Sequence, residues 1–306
     1  MVMSAESDRV RKFWGMPEST SKRYGRGVHW TESKIVIEYI NEQVSGSKEI
    51  GWLQYVSNKF LAPLKRELTV LSLGSGTGSL ERQLQTLLRI AQVDAFDISE
   101  AAVRQAKEAA ARDGLGRRIN YQVVDLNLIE LPKERYDVVF SGSCLHHIRA
   151  LEHVVSQSAQ ALKPAGYFIA NEYIGPSRFQ FPPQQVRVIE DLLVLLPKRY
   201  KKRIRLASGY KLHFTPPDPK HIESIDPSEA VRSDEVLPVT KQYLKMVEIR
   251  PYGGCILHML LQDIAGNFDE NSEEDSLRLL ALVDIERRLV RSGYLNSDFA
   301  LFVMTK

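Results

Sequence analysis

Three glycines follow the apolar stretch "TVLSL" at every second position, as Gly74, Gly76 and Gly78. Glycine adopts backbone angles that a Cβ disfavours, and it lets a ligand approach the main chain closely. A helix beginning after such a turn presents unpaired N–H groups and a partial positive charge, which suit a carboxylate or a phosphate. The spacing is GxGxG, with Ser79 where a dinucleotide-binding turn has its third glycine, and no Gly-Lys-Ser/Thr follows. The turn therefore predicts a ligand site that is neither a standard dinucleotide site nor a Walker A loop.

Two acids follow the glycines, each at the end of a predicted strand. Asp97 ends "VDAFD" and Asp125 ends "INYQVVD". An acid after the second strand can accept hydrogen bonds from ribose hydroxyls, in NAD sites and in S-adenosylmethionine sites alike. An acid after the third strand suits an adenine amino group. The pair therefore favours S-adenosylmethionine over NAD, and a ligand site over a plain strand–helix turn.

A second group of candidates follows the fourth and fifth predicted strands. His146 and His147 begin the next predicted helix, and Glu172 ends the fifth strand. Histidine titrates near neutral pH and can act as a general base. Because adjacent helical residues point about 100° apart, we expect one histidine to face the pocket, with a preference for His146. In the alternative, one histidine packs and the other caps the helix. Glu172 either orients or deprotonates a substrate group, or forms a salt bridge with Arg178.

Several residues outside this group are candidates for substrate contacts. Those near the N-terminus form either an aromatic lid or an anchor for the N-terminal arm. Tyr252 precedes Gly253 and Gly254, whose bare backbone suggests a ligand nearby. His258 lies on an apolar predicted helix, where a core histidine is expected. The substrate candidates are Tyr24, His29, Trp30, Tyr173, Arg178 and Tyr252.

A parallel sheet is needed to bring these residues together. Between Val70 and Tyr173 short apolar runs alternate with helical stretches, which predicts βαβ units with right-handed crossovers. Ligands bind at the carboxyl ends of the strands in such sheets. Thr31 and Ser99 are predicted helix N-caps. The helix "LERQLQTLL" is expected to turn its leucines inward, Leu87 included.

The pattern changes after the fifth strand, and we divide the chain into four segments. Residues 1–62 are an N-terminal arm with helices that forms a lid, and residues 63–174 are the S-adenosylmethionine-binding core. Residues 175–243 form an inserted helical substrate cap. Residues 244–306 return to the core sheet, with the strands "YLKMVEIRPYG" and "DFALFVMTK" and a buried helix "CILHMLLQDIAGNF" between them.

The composition argues against several classes of protein, among them nucleic-acid-binding, disulfide-rich and membrane-spanning proteins. The chain of 306 residues has 41 basic and 38 acidic residues, a balance too even to indicate a nucleic-acid partner. The basic run "PKRYKKRIR" reads as a solvated helix end or as a contact for an acidic substrate. Two cysteines without a CxxC pair predict neither a disulfide framework nor a metal site. No apolar run of membrane-spanning length and no signal-peptide core is present, so we expect a cytoplasmic protein.

The motifs together resemble one known family. "LSLGSGTGSLERQL", "VDAFDIS", "VVDLN", "YDVVFSGSCLHHI" and "ALKPAGYFIANEY" look like the class I S-adenosylmethionine-dependent methyltransferases of the small-molecule type. The resemblance implies a doubly wound, seven-stranded Rossmann-like α/β sheet in the order 3-2-1-4-5-7-6, its last strand antiparallel. It also implies cofactor contacts along the three strand ends, at Gly74, Ser75, Gly76, Gly78, Asp97, Ile98, Asp125, Leu126, Ser141 and Gly142.

The chain departs from the family at one position. The family usually carries an acid two residues before the first glycine, where it helps to hold the ammonium group of the methionine moiety. Here that position is Ser72. This departure leaves the detail of ammonium binding open, but not the presence of the site.

Methyl transfer is an in-line displacement, so the protein mainly aligns the acceptor and excludes water. A base is needed only where the acceptor must lose a proton. We expect transfer to oxygen or nitrogen of a small molecule, such as a sugar, a glycan precursor or a secondary metabolite, by a protein that could form a homodimer. Three alternatives stay open: a non-catalytic binding or scaffold protein on the same fold, an RNA methyltransferase, and an NAD-dependent oxidoreductase.

Overall fold

A seven-stranded sheet forms the centre of the computed structural model, which describes residues 5–15, 27–205 and 209–306. The strand order is β3-β2-β1-β4-β5-β7-β6, and only β7 runs antiparallel to its neighbours. This is the order that the family resemblance implied. The strands are β1 (Leu68–Leu73), β2 (Ile90–Asp97), β3 (Ile119–Val123), β4 (Tyr136–Gly142), β5 (Leu162–Tyr173), β6 (Lys245–Gly253) and β7 (Phe299–Thr305).

Helices cover both faces of the sheet. In the described ranges they are α1 (Ala5–Gly15), α2 (Lys34–Ser45), α3 (Trp52–Val56), α4 (Ser79–Leu87), α5 (Glu100–Arg112), α6 (Leu151–Ala161), α7 (Pro183–Leu195), α8 (Pro219–Ile225), α9 (Val236–Tyr243), α10 (Leu257–Leu261) and α11 (Glu273–Arg291). None of these helices combines the length and the apolar character that a membrane span requires.

Alternation along the strands gives the fold its two apolar layers. Val70 of β1 joins the larger core cluster, with buried residues of α2, α4, α5, α7, α10 and α11. Leu71 and Leu73 of the same strand join the second cluster, with buried residues of α6 and α9. Successive side chains of a strand point to opposite faces, so one apolar run serves both layers. The segment 175–243, predicted as a substrate cap, therefore also contributes α7 and α9 to the core.

Side-chain N-caps mark the starts of α2, α5, α8 and α11, and two of the sequence expectations were wrong. Ser99 Oγ accepts a hydrogen bond from Ala102 N, as an N-cap should. The cap of α2 is Ser33, not the predicted Thr31, and it accepts from Val36 N. Leu87 is 38% exposed because α4 ends there, at the edge of its apolar face.

Candidate active site

The carboxyl ends of β1, β2 and β4 surround a cavity of about 890 Å³. It lies between β1 and β4, where the strand order reverses, which is the usual ligand position in open α/β sheets. The glycine turn, both strand-end acids and both histidines line its wall; in order they are Gly74, Gly76, Asp97, Asp125, His146 and His147. The structure thus brings the two groups of sequence candidates into one cavity.

In the glycine turn, Gly74 and Gly78 pack against protein atoms, whereas Gly76 has open space beside it. All three glycines have positive φ, between 52° and 78°. A Cβ on Gly74 would lie 2.4 Å from Cys144 Sγ, and one on Gly78 would lie 2.3 Å from Tyr121 Oη. A Cβ on Gly76 would meet no described atom within 4 Å. The two outer glycines are therefore required by packing, and the middle one leaves room for a ligand.

Two carboxylates stand at fixed positions on the wall. Asp97 Oδ2 accepts from Gly76 N and its Oδ1 from Ser99 N, each at 2.8 Å. Burial raises the pKa of Asp97, and these two backbone hydrogen bonds oppose the shift. Asp125 Oδ1 accepts from Asn127 N at 3.0 Å, and its Oδ2 accepts from Ser7 Oγ of α1 at 2.6 Å. Helix α1 therefore covers this side of the cavity.

The remaining cofactor candidates divide into two sets. Ile98, Leu126, Ser75 and Gly142 line the cavity. Gly78 and Ser141 do not; Ser141 is fully buried, and its Oγ donates to Glu172 Oε1 at 2.6 Å. Because alternate residues of a strand face opposite sides, Ser141 supports the site from below instead of facing a ligand.

Glu172 is fully buried beneath the cavity. Besides the bond from Ser141, it accepts hydrogen bonds from Cys144 N at 2.8 Å and Leu145 N at 2.9 Å, and its Oε2 lies 2.9 Å from His146 Nδ1. Burial would raise the pKa of Glu172, but the hydrogen bond and charge of His146 and the other donors outweigh it, so the pKa is lowered. Glu172 thus holds His146 in place.

The salt bridge considered between Glu172 and Arg178 is not formed. The Arg178 guanidinium instead donates to the carbonyl oxygens of Glu229 and Pro227, each at 2.7 Å. Arg178 therefore braces the inserted segment, and its contact with substrate stays a prediction.

Both histidines face the cavity, so the expectation that only one would do so was wrong. They lie in a 3-10 turn, Leu145–His147, before α6 begins, and their rings are 4.1 Å apart. Burial would lower the pKa of His146, but the hydrogen bond and charge of Glu172 raise it. Burial and the neighbouring His146 lower the pKa of His147. The two rings therefore have different protonation behaviour.

Residues of the inserted segment complete this end of the cavity. His147 Nδ1 lies 3.2 Å from Ser228 Oγ, which donates to Asp226 Oδ1 at 2.7 Å. The ligand atoms of His146, His147 and Glu229 lie within 4.8 Å of one another. Groups at this spacing could hold a metal ion, whose bonds to the imidazole nitrogens would be about 2.0–2.1 Å long. Neither Ser228 nor Glu229 could be identified from the sequence, because the insertion has no regular pattern.

The other substrate candidates lie away from this cavity wall as the described residues define it. Trp30, Tyr173 and Tyr252 are buried, and each ring lies within 5.8 Å of Phe299. His29 Nδ1 lies 2.6 Å from Thr31 Oγ1, and Tyr24 falls outside the described residues. Their contact with substrate stays a prediction.

A ligand was expected close to the backbone of Gly253 and Gly254, but side chains of the protein itself occupy that space. A Cβ on Gly253 would lie 2.2 Å from Glu286 Oε1, and one on Gly254 would lie 2.4 Å from the Phe299 ring. His258 is half-buried, and its ring packs against those of Trp30, Tyr173 and Phe299, as expected for a core histidine; burial lowers its pKa to about 3.

Two buried polar atoms on the wall have no hydrogen-bond partner among the described residues: Ser75 Oγ and Glu81 Oε2. Buried polar groups are normally paired, so such orphans at a cavity mark a place for a polar ligand. With the open backbone at Gly76 and the fixed acceptors Asp97 and Asp125, the wall fits a ligand with a charged end, a ribose and an adenine. S-adenosylmethionine has these three parts.

Comparison with known proteins agrees with this geometry. A family model described as "Methyltransferase domain" matches residues 70–166. The 27-O-demethylrifamycin SV methyltransferase of Amycolatopsis mediterranei (strain S699) is 25% identical over 132 residues, which are 42% of this chain and 48% of that enzyme. The chain thus matches about half the length of this relative.

Two solved structures share the fold over nearly their whole length. Geranyl diphosphate C-methyltransferase from Streptomyces coelicolor A3(2), in complex with Mg²⁺, geranyl diphosphate and S-adenosyl-L-homocysteine, has a TM-score of 0.55 at 11% identity and covers 99% of this chain and 98% of its own. The [4+2]-cyclase SpnF has a TM-score of 0.52 at 12% identity and covers 100% and 98%. At such identities the likeness shows the fold alone. The sheet order and the matched domain together show that this chain contains a class I S-adenosylmethionine-dependent methyltransferase domain.

Proposed function

We propose that the protein transfers a methyl group from S-adenosylmethionine to a hydroxyl oxygen of a small molecule. The observation that carries this proposal is the His146–Glu172 pair, which opens into the same cavity as the glycine turn. S-adenosylmethionine, when bound, supplies a methyl group already activated by its sulfonium. The glycine turn and Ser75 would hold the methionine moiety, Asp97 the ribose and Asp125 the adenine amino group.

The pair supports removal of a proton from the acceptor. Glu172 is an acceptor at 2.9 Å from His146 Nδ1, which favours a proton on Nδ1 and a free lone pair on Nε2. A hydroxyl placed in the cavity can give its proton to Nε2 as its oxygen attacks. Glu172 then stabilises the imidazolium, in the way that a buried acid supports a catalytic histidine elsewhere. An oxygen acceptor needs such a base more than most carbon acceptors do.

The basic run does not favour RNA. Arg199 pairs with Glu274 at 2.7 Å, and Arg203 pairs with Asp263 at 3.2 Å. Charges that are satisfied within the chain contribute less to phosphate binding. This supports a small molecule as acceptor, and methyl transfer to total RNA at physiological salt would count against it.

The first test is a His146→Asn variant. Asparagine can keep a donor toward Glu172, but it lacks the imidazole Nε2. Transfer of a radiolabelled methyl group would be followed over panels of hydroxyl, amine and carbon acceptors, with S-adenosylhomocysteine affinity from calorimetry as the control. We expect kcat to fall by about 100-fold or more for the hydroxyl acceptor, at unchanged cofactor affinity.

Three outcomes would oppose the proposal. Full activity of His146→Asn would exclude a base at this position. Activity that is lost with EDTA and restored by a divalent metal would replace the free base with a metal at the histidine turn. Cofactor binding without turnover on any acceptor would favour the scaffold alternative.

A further inference from the structure

The family's strand acid is absent here, and a different acid occupies its surroundings. Ser72 is buried on β1, two residues before the first glycine, and it lines the cavity. Glu81 lies in the first turn of α4, beyond the glycine turn. Ser72 Oγ donates a hydrogen bond to Glu81 Oε1. The side chain of Glu81 thus reaches back across the turn to the position of the missing strand acid.

The Glu81 carboxylate is incompletely satisfied. It is 0% exposed, it lines the cavity, and its Oε2 has no partner among the described residues. The adjacent Arg82 does not neutralise it by direct contact, because its guanidinium donates to the carbonyls of Thr77 and Gly78 and pairs with Asp113 at 3.0 Å. A buried carboxylate without a partner is costly. Within the described part of the chain, what it lacks is a cation on the cavity side.

We propose that Glu81 replaces the strand acid: its carboxylate binds the ammonium group of the methionine moiety, and Ser72 orients it. This inference rests on the S-adenosylmethionine site of the proposed function. Glu81 can provide the second acceptor through Oε2, while Oε1 stays bonded to Ser72. In this chain the acid is therefore on α4, after the glycines, and not on β1, before them.

The titration of Glu81 gives this role a second signature. Burial raises the pKa of Glu81 to about 7, against the opposing effects of the Ser72 hydrogen bond and the Arg82 charge, while the Asp97 charge adds to the rise. Tyr121 also faces it, and burial holds the pKa of that phenol high enough to keep it neutral. A cation prefers the ionised form of Glu81. Binding should therefore release a proton below pH 7, and affinity should fall toward tenfold per pH unit as the pH drops.

The test compares two ligands that differ in the amino-acid part. S-adenosylhomocysteine carries the ammonium group, and 5′-methylthioadenosine lacks the whole amino-acid moiety. Calorimetry would measure both with the wild type, Glu81→Gln, and the double variant Ser72→Asp/Glu81→Gln. Glu100→Gln is the matched control, because Glu100 is an exposed acid that does not line the cavity, and it lies in the first turn of α5 as Glu81 lies in the first turn of α4.

We expect Glu81→Gln to weaken S-adenosylhomocysteine by about 10- to 100-fold and to leave 5′-methylthioadenosine unchanged. The double variant, which restores an acid on the strand, should recover most of the lost affinity. Glu100→Gln should match the wild type. In Glu81→Gln the proton release measured in buffers of different ionisation enthalpy should disappear.

Equal weakening of both ligands would mean that Glu81 only supports the turn, and wild-type affinity of Glu81→Gln would exclude the ammonium contact; either result overturns the inference. A thermal melt of the unliganded variant separates folding from binding, since removal of a buried unpaired charge should not lower the melting temperature. If the wild type binds neither ligand, the proposed function itself fails, and this inference fails with it.

Discussion

At the residue scale, the site depends on two buried carboxylates with opposite roles. Both carboxylate oxygens of Glu172 have hydrogen-bond partners, which are three donors from the chain and the His146 ring. Its pKa is lowered, so it is a stable anion that fixes another side chain. Glu81 has one oxygen without a partner among the described residues, and burial raises its pKa. The satisfied acid positions His146, the proposed base, and the unsatisfied acid is suited to a ligand.

The positioning role of Glu172 predicts a change in the pH profile. In Glu172→Gln the charge that raises the pKa of His146 is gone, so that pKa should fall. Because the base must be neutral, activity rises as pH passes through this pKa. The acidic limb of the kcat profile should therefore move to lower pH in the variant, while its plateau falls through loss of orientation. Ser141→Ala removes one donor to Glu172 and should leave the limb near its wild-type position; an unmoved limb in Glu172→Gln would contradict the role.

At the element scale, short buried helices need charged side chains at their ends. The sequence predicted a long helix over "CILHMLLQDIAGNF", but α10 spans only Leu257–Leu261. Glu286 of α11 accepts hydrogen bonds from the N–H groups of Ile256 and Leu257 at its start, at 2.7 and 2.9 Å. Lys211 Nζ donates to Leu260 O at 3.2 Å and Gln262 O at 2.8 Å at its end. Both ends are therefore satisfied after about one turn, and the chain can leave the helix.

This arrangement predicts a large stability effect at Glu286. Glu286→Ala would leave the N–H groups of Gly254, Ile256 and Leu257 buried without an acceptor, since all three bond to its carboxylate. We expect the free energy of unfolding in urea to fall by about 3 kcal/mol or more. Glu273→Ala, an exposed position on the same helix, should change it by less than about 0.5 kcal/mol. Equal effects at both positions would refute the capping role.

At the scale of the whole molecule, the cavity is assembled from distant parts of the chain. The sheet order places β1 next to β4, which brings the glycine turn beside the histidine turn. Helix α1 adds Val10 and Trp14, and the inserted segment adds Ser228. The Trp14 and His147 rings lie 5.2 Å apart. The N-terminal segment, the core and the insertion therefore all line this cavity.

Binding across these parts predicts a ligand-dependent gain in stability. S-adenosylhomocysteine at 100 times its dissociation constant should stabilise the folded chain by about 2.7 kcal/mol. For a chain of this size the melting temperature should rise by several degrees in a thermal shift assay. NAD at the same concentration should give no shift, because the turn lacks the third dinucleotide glycine. A shift with NAD alone would revive the oxidoreductase alternative.

The sequence by itself determined the fold and the cofactor side of the cavity. The glycine spacing, the strand-end acids Asp97 and Asp125 and the apolar strand runs are local signals, and each is read within a few residues of chain. Such patterns follow the periodicity of the helix or strand that contains them, so they can be recognised without knowledge of the tertiary contacts. The strands followed from these patterns, and their order in the sheet followed from the family resemblance.

Only the tertiary structure decided which side chains meet. Glu172 and His146 are 26 residues apart in the sequence. Glu172 contacts His146, and not Arg178, because the end of β5 lies beside the 3-10 turn that carries the histidine. Glu81 reached Ser72 because α4 folds back over β1, and both histidines face the cavity because their turn is not part of α6. A side-chain contact depends on distances set by the packing of whole elements, which no short window of sequence contains.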